Sequence, residues 1–127
     1  MVSPEERLVT PFYLQMMNCN ALEHAEPLWA DLVRVGQEAS LTDVQWQLRR
    51  GEWRPMVMGA WFSLGFDADE VGSDLLAAMA RSAGAFTAPP LAVACALVLG
   101  RDAHEELARY AQRETEGSSR QGWYPPF

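Results

Sequence analysis

Apolar residues recur along this chain at spacings of three and four, and no stretch fits strict alternation better than that helical period. Ser3 before Pro4, Glu5 and Glu6 reads as a helix start, with Ser as N-cap, Pro in the first turn and acids near the positive end of the helix dipole. Pro11 interrupts that helix, and Phe12, Tyr13, Met16 and Met17 form an apolar face after it. A second helix is predicted over about 27–39, with Leu28, Leu32 and Val35 on one stripe and Trp29 and Val33 beside it. Thr42 and Gln45 have capping-box spacing, so a short helix should follow and stop near Gly51.

Two later stretches repeat each other thirty-five residues apart without a gap. Pro55-x8-Leu64-Gly65-x-Asp67-Ala68-x-Glu70 is matched thirty-five positions later by Pro90-x8-Leu99-Gly100-x-Asp102-Ala103-x-Glu105. A period of this size marks stacked-repeat architectures. Each unit reads as an apolar helix opened by Pro, a Gly stop, an Asp start and a more polar helix. Asp67 with Glu70, and Asp102 with Glu105, have capping-box spacing, a device worth about 1 kcal/mol. Val71, Leu75, Leu76 and Met79 should face inward on a helix ending near Ser82, and Gly84 should mark its end. Leu107, Tyr110 and Ala111 play that part in the second unit. The expected fold is all-α, a short HEAT-like solenoid of stacked helical hairpins with six to seven helices. One domain is expected over 1–116, with a Gly/Ser and aromatic tail over 117–127.

Charge narrows the partner. The net charge is −7 and every cation is an arginine. Nucleic acid and anionic membranes call for cationic surface, so neither is expected, whereas a basic protein is an expected partner. No apolar run is long enough to span a bilayer, and the N-terminus lacks the basic and apolar regions of a signal peptide, so a cytoplasmic location is expected. Cys19 and Cys95 lie inside apolar patterns and read as buried thiols.

Catalytic and metal motifs are sparse. His24 and His104 lack zinc-site spacing and read as exposed first-turn residues. Neither a Gly-rich phosphate loop nor a G-x-S-x-G elbow occurs, and no cofactor is expected. With Asp67, Glu70, Asp102 and Glu105 assigned to caps, Asp69, Asp74 and Glu106 remain as uncommitted acids, and Glu105 stands one turn before Arg109 as a helix pair. Arg50-Gly51-Glu52-Trp53-Arg54-Pro55 places Trp beside Arg, a composition found at interface hot spots. The bland alternative packs Trp53 at a corner and lets Arg54 bond a helix carbonyl end. Trp61 reads as core.

Pro11-Phe12-Tyr13-Leu14, Arg50-Gly51-Glu52-Trp53-Arg54, Ala60-Trp61, Leu75-Leu76-Ala77 and Ala83-Gly84 resemble a family of small bacterial proteins known as a domain of unknown function, number 6000. The resemblance covers the chain to about Tyr110. It departs at Phe86-Thr87-Ala88-Pro89, where the family has an aromatic-rich stretch, and at Gly117 to Phe127, where the family carries a further segment. It implies a freestanding small helical protein of a type often seen among toxin-neutralising immunity proteins.

Three functions follow as expectations. The leading one is a protein-binding module, an immunity-type protein that occludes a basic toxin domain, with Asp69, Asp74 and Glu106 meeting the basic cleft and Trp53 and Arg54 as anchors. The second is a small carboxylate-dependent hydrolase using Asp69 and Asp74. The third is a scaffold or regulatory adaptor that binds a peptide where the tail from Trp123 to Phe127 would otherwise lie.

Overall fold

The computed structural model describes residues 3–82, 84 and 86–121. Among these the chain is entirely helical, with nine α-helical segments rather than six or seven. They are α1 (Pro4–Leu8), α2 (Tyr13–Met16), α3 (Ala21–His24), α4 (Trp29–Glu38), α5 (Leu41–Arg49), α6 (Trp53–Phe62), α7 (Ala68–Arg81), α8 (Ala88–Leu99) and α9 (His104–Gln121). Short 3₁₀ turns precede α4, follow α6 and join α8 to α9. The larger count arises in the first forty residues, where the chain breaks into short helices around Pro11 and Asn18. Asn18 adopts a left-handed φ of 52°. No helix among the described residues is long and apolar enough to cross a membrane.

The caps explain several boundaries. Ser3 Oγ accepts the Glu6 amide, as its position ahead of Pro4 predicts. The cap of α5 is shifted by two residues from the Thr42–Gln45 reading. Ser40 is the N-cap, and Ser40 and Asp43 exchange bonds of 3.1 Å in each direction. Asp67 and Glu70 form their box at the start of α7. Asp102 and Glu105 do not, because the second unit tightens into a 3₁₀ turn over Gly100–Ala103 and the α-helix starts one residue later. Gly100 ends α8 with a φ of 57°, the conformation that only glycine adopts freely. Helix α9 runs on through Gly117-Ser118-Ser119, where the apolar pattern fades. Glycine costs a helix only about 1 kcal/mol relative to alanine and does not by itself stop one.

The thirty-five-residue period is kept in the helix boundaries, since α6 and α8 begin at equivalent positions, Trp53 and Ala88. The packed neighbours, however, are α5 with α6 and α7 with α8, not α6 with α7 and α8 with α9. Helix α7 also packs on α5 and α9, and α6 on α8. Two arginines reinforce one side of this arrangement. Arg81 of α7 donates to the Leu48 carbonyl at the end of α5 at 2.6 Å, and Arg113 of α9 donates to the Met79 carbonyl near the end of α7 at 3.3 Å.

The core is built by α1, α2 and α4 to α8, with Leu8, Leu48, Met58, Leu75, Met79 and Leu91 fully enclosed. Each such side chain stabilises the fold by about 1.5–3 kcal/mol. Val71, Leu75 and Met79 face inward as the spacing predicts, Leu76, Leu107 and Tyr110 are half-buried, and Ala111 is exposed. Helices α1 and α2 lie on α6, and the Trp61 indole donates to the Met16 carbonyl at 2.9 Å. Trp61 is therefore half-buried at a helix contact rather than enclosed in the core. Arg7 of α1 reaches Asp43 of α5 at 3.2 Å.

Close approach of α5 and α6 depends on Gly59. A Cβ at that position would sit 2.9 Å from Gln47 Cβ and 3.1 Å from the Leu48 backbone nitrogen. The Gln47 side chain is fully buried there, and its amide has no hydrogen-bond partner among the described residues. Gly59→Ala is expected to cost about 1–3 kcal/mol through overpacking, read as a lower urea midpoint, whereas Gly51→Ala, with open space around it, should change little.

Asp43 joins the α5 cap to α1. Burial pushes its carboxyl up, but the Ser40 amide, the Arg7 guanidinium and the Ser40 hydroxyl outweigh that and hold it below its ordinary value. A carboxyl depressed in the folded state contributes stability above its unfolded pKa, about 3.9, and that contribution fades as pH falls through the lower folded value. Urea midpoints measured from neutral pH to below about pH 4 should fall more steeply for the native chain than for Asp43→Asn.

Candidate functional site

Helix α4 turns Leu32 and Val35 inward and leaves its adjacent row, Trp29 and Val33, facing out. Trp29 is 62% exposed. Across from this row, the end of α6 supplies Trp61 and Phe62, and the 3₁₀ turn after it carries Leu64 on the surface, followed by Phe66. The two walls meet at Gly36, where a Cβ would stand 3.3 Å from the Phe62 ring. Above that contact they separate. The result is an open groove of about 510 Å³ with Met16, Leu32 and Phe62 in its lining and Gln37 as its polar side chain. Its volume falls within the range of sites that bind small molecules or side-chain anchors. The Trp61 N–H is already satisfied by Met16, so this ring offers the groove apolar surface.

Charge concentrates around it. The segments Trp29–Glu38 and Ser63–Glu70 together carry five acids and one arginine, against a net charge of −7 for the chain. Arg34 lies 3.6 Å from Asp31 and 3.9 Å from Glu38, sharing its single charge between them. Asp67 and Glu70 form the cap of α7, and Asp69 is exposed beside them with no ion pair among the described residues. An apolar trough whose walls come from acid-rich segments favours a ligand with an apolar body and cationic flanks.

The five residues singled out by sequence do not share one face. Asp69 is exposed in the first turn of α7, three positions beyond Phe66 in sequence, and is not among the residues that line the groove. Asp74 is 9% exposed, and both its oxygens accept from Arg49, at 2.8 and 3.2 Å. It is not an uncommitted acid, because its position on α7 faces α5 and its charge is balanced across that contact. Glu106 is likewise engaged. Its side chain is 12% exposed, 3.0 Å from Arg109 and 3.6 Å from Arg113. The second distance is an ion pair rather than a hydrogen bond, and Oε1 has no hydrogen-bond partner among the described residues. The expected Glu105–Arg109 pair is formed.

Trp53 and Arg54 lie at the opposite end of α6 from the groove, about 15 Å away along a ten-residue helix. The Trp53 ring packs edge-on to Tyr13, centroids 5.6 Å apart, and against Phe86 at 4.6 Å. Arg54 does not bond a helix carbonyl end. Its guanidinium lies over the rings of Trp53, at 4.7 Å, and Tyr13, at 5.3 Å. The groove and this aromatic–arginine cluster are therefore separate features of the surface. The tail from Trp123 to Phe127 lies outside the described residues.

Sequence reasoning missed Leu64 and treated Trp29 and Val33 as flanks of a buried stripe. The available signal was that Trp29 and Val33 share a row, one turn apart, that the inward stripe does not need. No cluster of three or more His, Cys, Asp or Glu residues able to hold a metal ion occurs among the described residues. His24 and His104 are both exposed. No family model, curated protein or solved structure matches the chain.

The two cysteines differ, contrary to the expectation that both are buried: Cys19 is exposed and Cys95 is enclosed. Cys19 sits in the turn after Asn18, outside the stripe that packs on α6. Burial, reinforced by the charge of Glu106, pushes the Cys95 thiol up to about 11, so it stays protonated at neutral pH. With a disulfide reagent such as 5,5′-dithiobis(2-nitrobenzoate), one thiol per chain should react rapidly in the folded protein and the second only on unfolding. Cys19→Ser should remove the fast phase. A rapid phase from Cys95 would contradict its enclosure.

Proposed function

We propose that this chain is a protein-binding module whose groove between α4 and the end of α6 receives an apolar segment of a basic partner. The observation that carries the reading is the coincidence of exposed Trp29, Val33 and Leu64 with the acidic segments that wall the groove. Apolar anchors seated in a water-excluding groove supply most of the energy of such an interface. Surrounding charge speeds encounter and selects the partner. The immunity-type reading is the specific form this takes: the chain covers a basic cleft of a toxin domain, in the cytoplasm, and blocks it. The resemblance to the uncharacterised bacterial family supports that reading, and Trp53 with Arg54 forms a second contact surface rather than part of the groove.

A hydrolase built on Asp69 and Asp74 is less well supported, because Arg49 occupies both Asp74 oxygens. The adaptor reading keeps the same groove, now holding an amphipathic helix laid in by its apolar face.

The test is capture of interacting proteins from the source cells with the tagged native chain, Val33→Arg and Leu64→Arg, at low and moderate salt. Both substitutions fall on exposed positions, so helix content should be unchanged. The expected result is a stoichiometric basic protein held by the native chain, lost as salt rises, and bound at least about tenfold more weakly by either variant. A partner that both variants retain at native strength would sink the groove as the docking site.

A further inference from the structure

The end of α5, the start of α6 and the end of α7 come together away from the groove, since Arg81 reaches the Leu48 carbonyl and the Trp53 ring packs on Phe86. Four arginines stand on these segments: Arg49, Arg50, Arg54 and Arg81. Three of them are engaged. Arg49 is balanced by Asp74, Arg50 by Glu52, and Arg81 donates to Leu48. Arg54 is exposed and makes neither an ion pair nor a hydrogen bond among the described residues.

Its place is nevertheless fixed, because the guanidinium lies over both the Trp53 and the Tyr13 rings. Stacking uses the flat face of a guanidinium and leaves the N–H fork at its edge free to meet a carboxylate. A side chain held in this way gives up little rotamer freedom on binding. Apolar surface adjoins it: Phe86 is 45% exposed, and Trp53 and Tyr13 are half-buried. Trp, Tyr and Arg are the side chains that most often carry the binding energy of an interface.

Local charge selects the partner. The sequence has no acid between Leu75 and Arg101, and Glu52 is neutralised by Arg50. This end thus contrasts with the groove, whose walls come from acid-rich segments. We propose that Tyr13, Trp53, Arg54 and Phe86 form a second docking site, which receives an acidic peptide segment of a protein partner. One Asp or Glu carboxylate pairs with Arg54, and an adjacent proline or aromatic residue lies on the rings. A singly charged carboxylate suits a chain of net charge −7 better than a phosphate group or a nucleic-acid backbone, because repulsion from the rest of the molecule grows with the ligand's charge. The site rests on the reading of this chain as a protein-binding module, but not on the groove, which lies at the other end of α6.

Selection of short random peptides on the immobilised full chain tests the site. The expected result is enrichment of peptides that pair Asp or Glu with proline or an aromatic residue. Calorimetric titration of the strongest of them should show about tenfold weaker binding to Arg54→Gln, and a similar loss when the peptide's carboxylate is changed to the amide. The two changes together should weaken binding little more than either alone, since each removes one half of the same contact. Arg54→Lys keeps the charge without the fork and should recover only part of the affinity. Far-UV circular dichroism should be unchanged in both variants, because Arg54 is exposed. Val33→Arg and Leu64→Arg should bind the peptide as the native chain does, so that failure of the groove and failure of this site are read separately. Recovery of no peptide, or of peptides without acidic enrichment, overturns the proposal. So do fully additive losses, a loss on Leu64→Arg as large as that on Arg54→Gln, or tighter binding once phosphoserine replaces the peptide's acid.

Discussion

The distance between α5 and α6 is the constraint on which the remaining packing depends. Gly59 lets the two backbones approach until any larger residue would collide with Gln47 and Leu48. From this pair the fold grows in two directions, as α5 carries α7 and α6 carries α8, while α1 and α2 rest on α6. The next pair uses a similar device, since a Cβ at Gly72 of α7 would stand 2.7 Å from the Leu99 side chain of α8. Apolar burial supplies the driving force, but the small residue at each crossing decides how near the helices come and therefore which further faces can meet.

Polar contacts then fix the order of the helices. Asp74 balances Arg49 between α7 and α5, and Arg81 and Arg113 each reach back to a carbonyl near the end of the preceding member of the same row. The Leu48 carbonyl is one of those a helix terminus leaves without an intrahelical partner, and the Met79 carbonyl, which also accepts the Ser82 amide, gains a second donor. Such contacts also separate the acids into two populations. Asp74, between helices, is neutralised by an arginine of the neighbouring helix, whereas Asp69 is exposed and forms no ion pair among the described residues. The contrast between Asp74 and Asp69, five residues apart on one helix, is a product of tertiary contacts.

The helices and their starts were largely legible in the sequence. Ser3, Pro55, Asp67, Pro90 and Gly100 act locally, and local chemistry of that kind acts over the few residues around it. Pairing was less legible. Consecutive helices invite the reading that they pack together, but the apolar faces of α6 and α7 find better partners in α8 and α5. Asp74 looked uncommitted because its counterion is twenty-five residues away on another helix. The groove was hidden for a related reason: a lone Trp or Leu beside an inward stripe does not reveal whether another wall covers it. Gly59 gave a faint signal, as an isolated glycine inside an apolar helix, that only the neighbouring backbone explains.

The wall formed by α4 differs in kind from the wall formed by α6. Helix α6 is fixed by α5, α8 and the N-terminal helices, while α4 packs chiefly on the 3₁₀ turn that precedes it and touches α6 along the groove floor. An element held by fewer neighbouring helices opens at a smaller free energy than the body it leans on. The groove thus has one wall held by several helices and one wall held by fewer. A guest seated there would clamp α4, and amide exchange along that helix would slow on binding even where the guest touches none of its backbone.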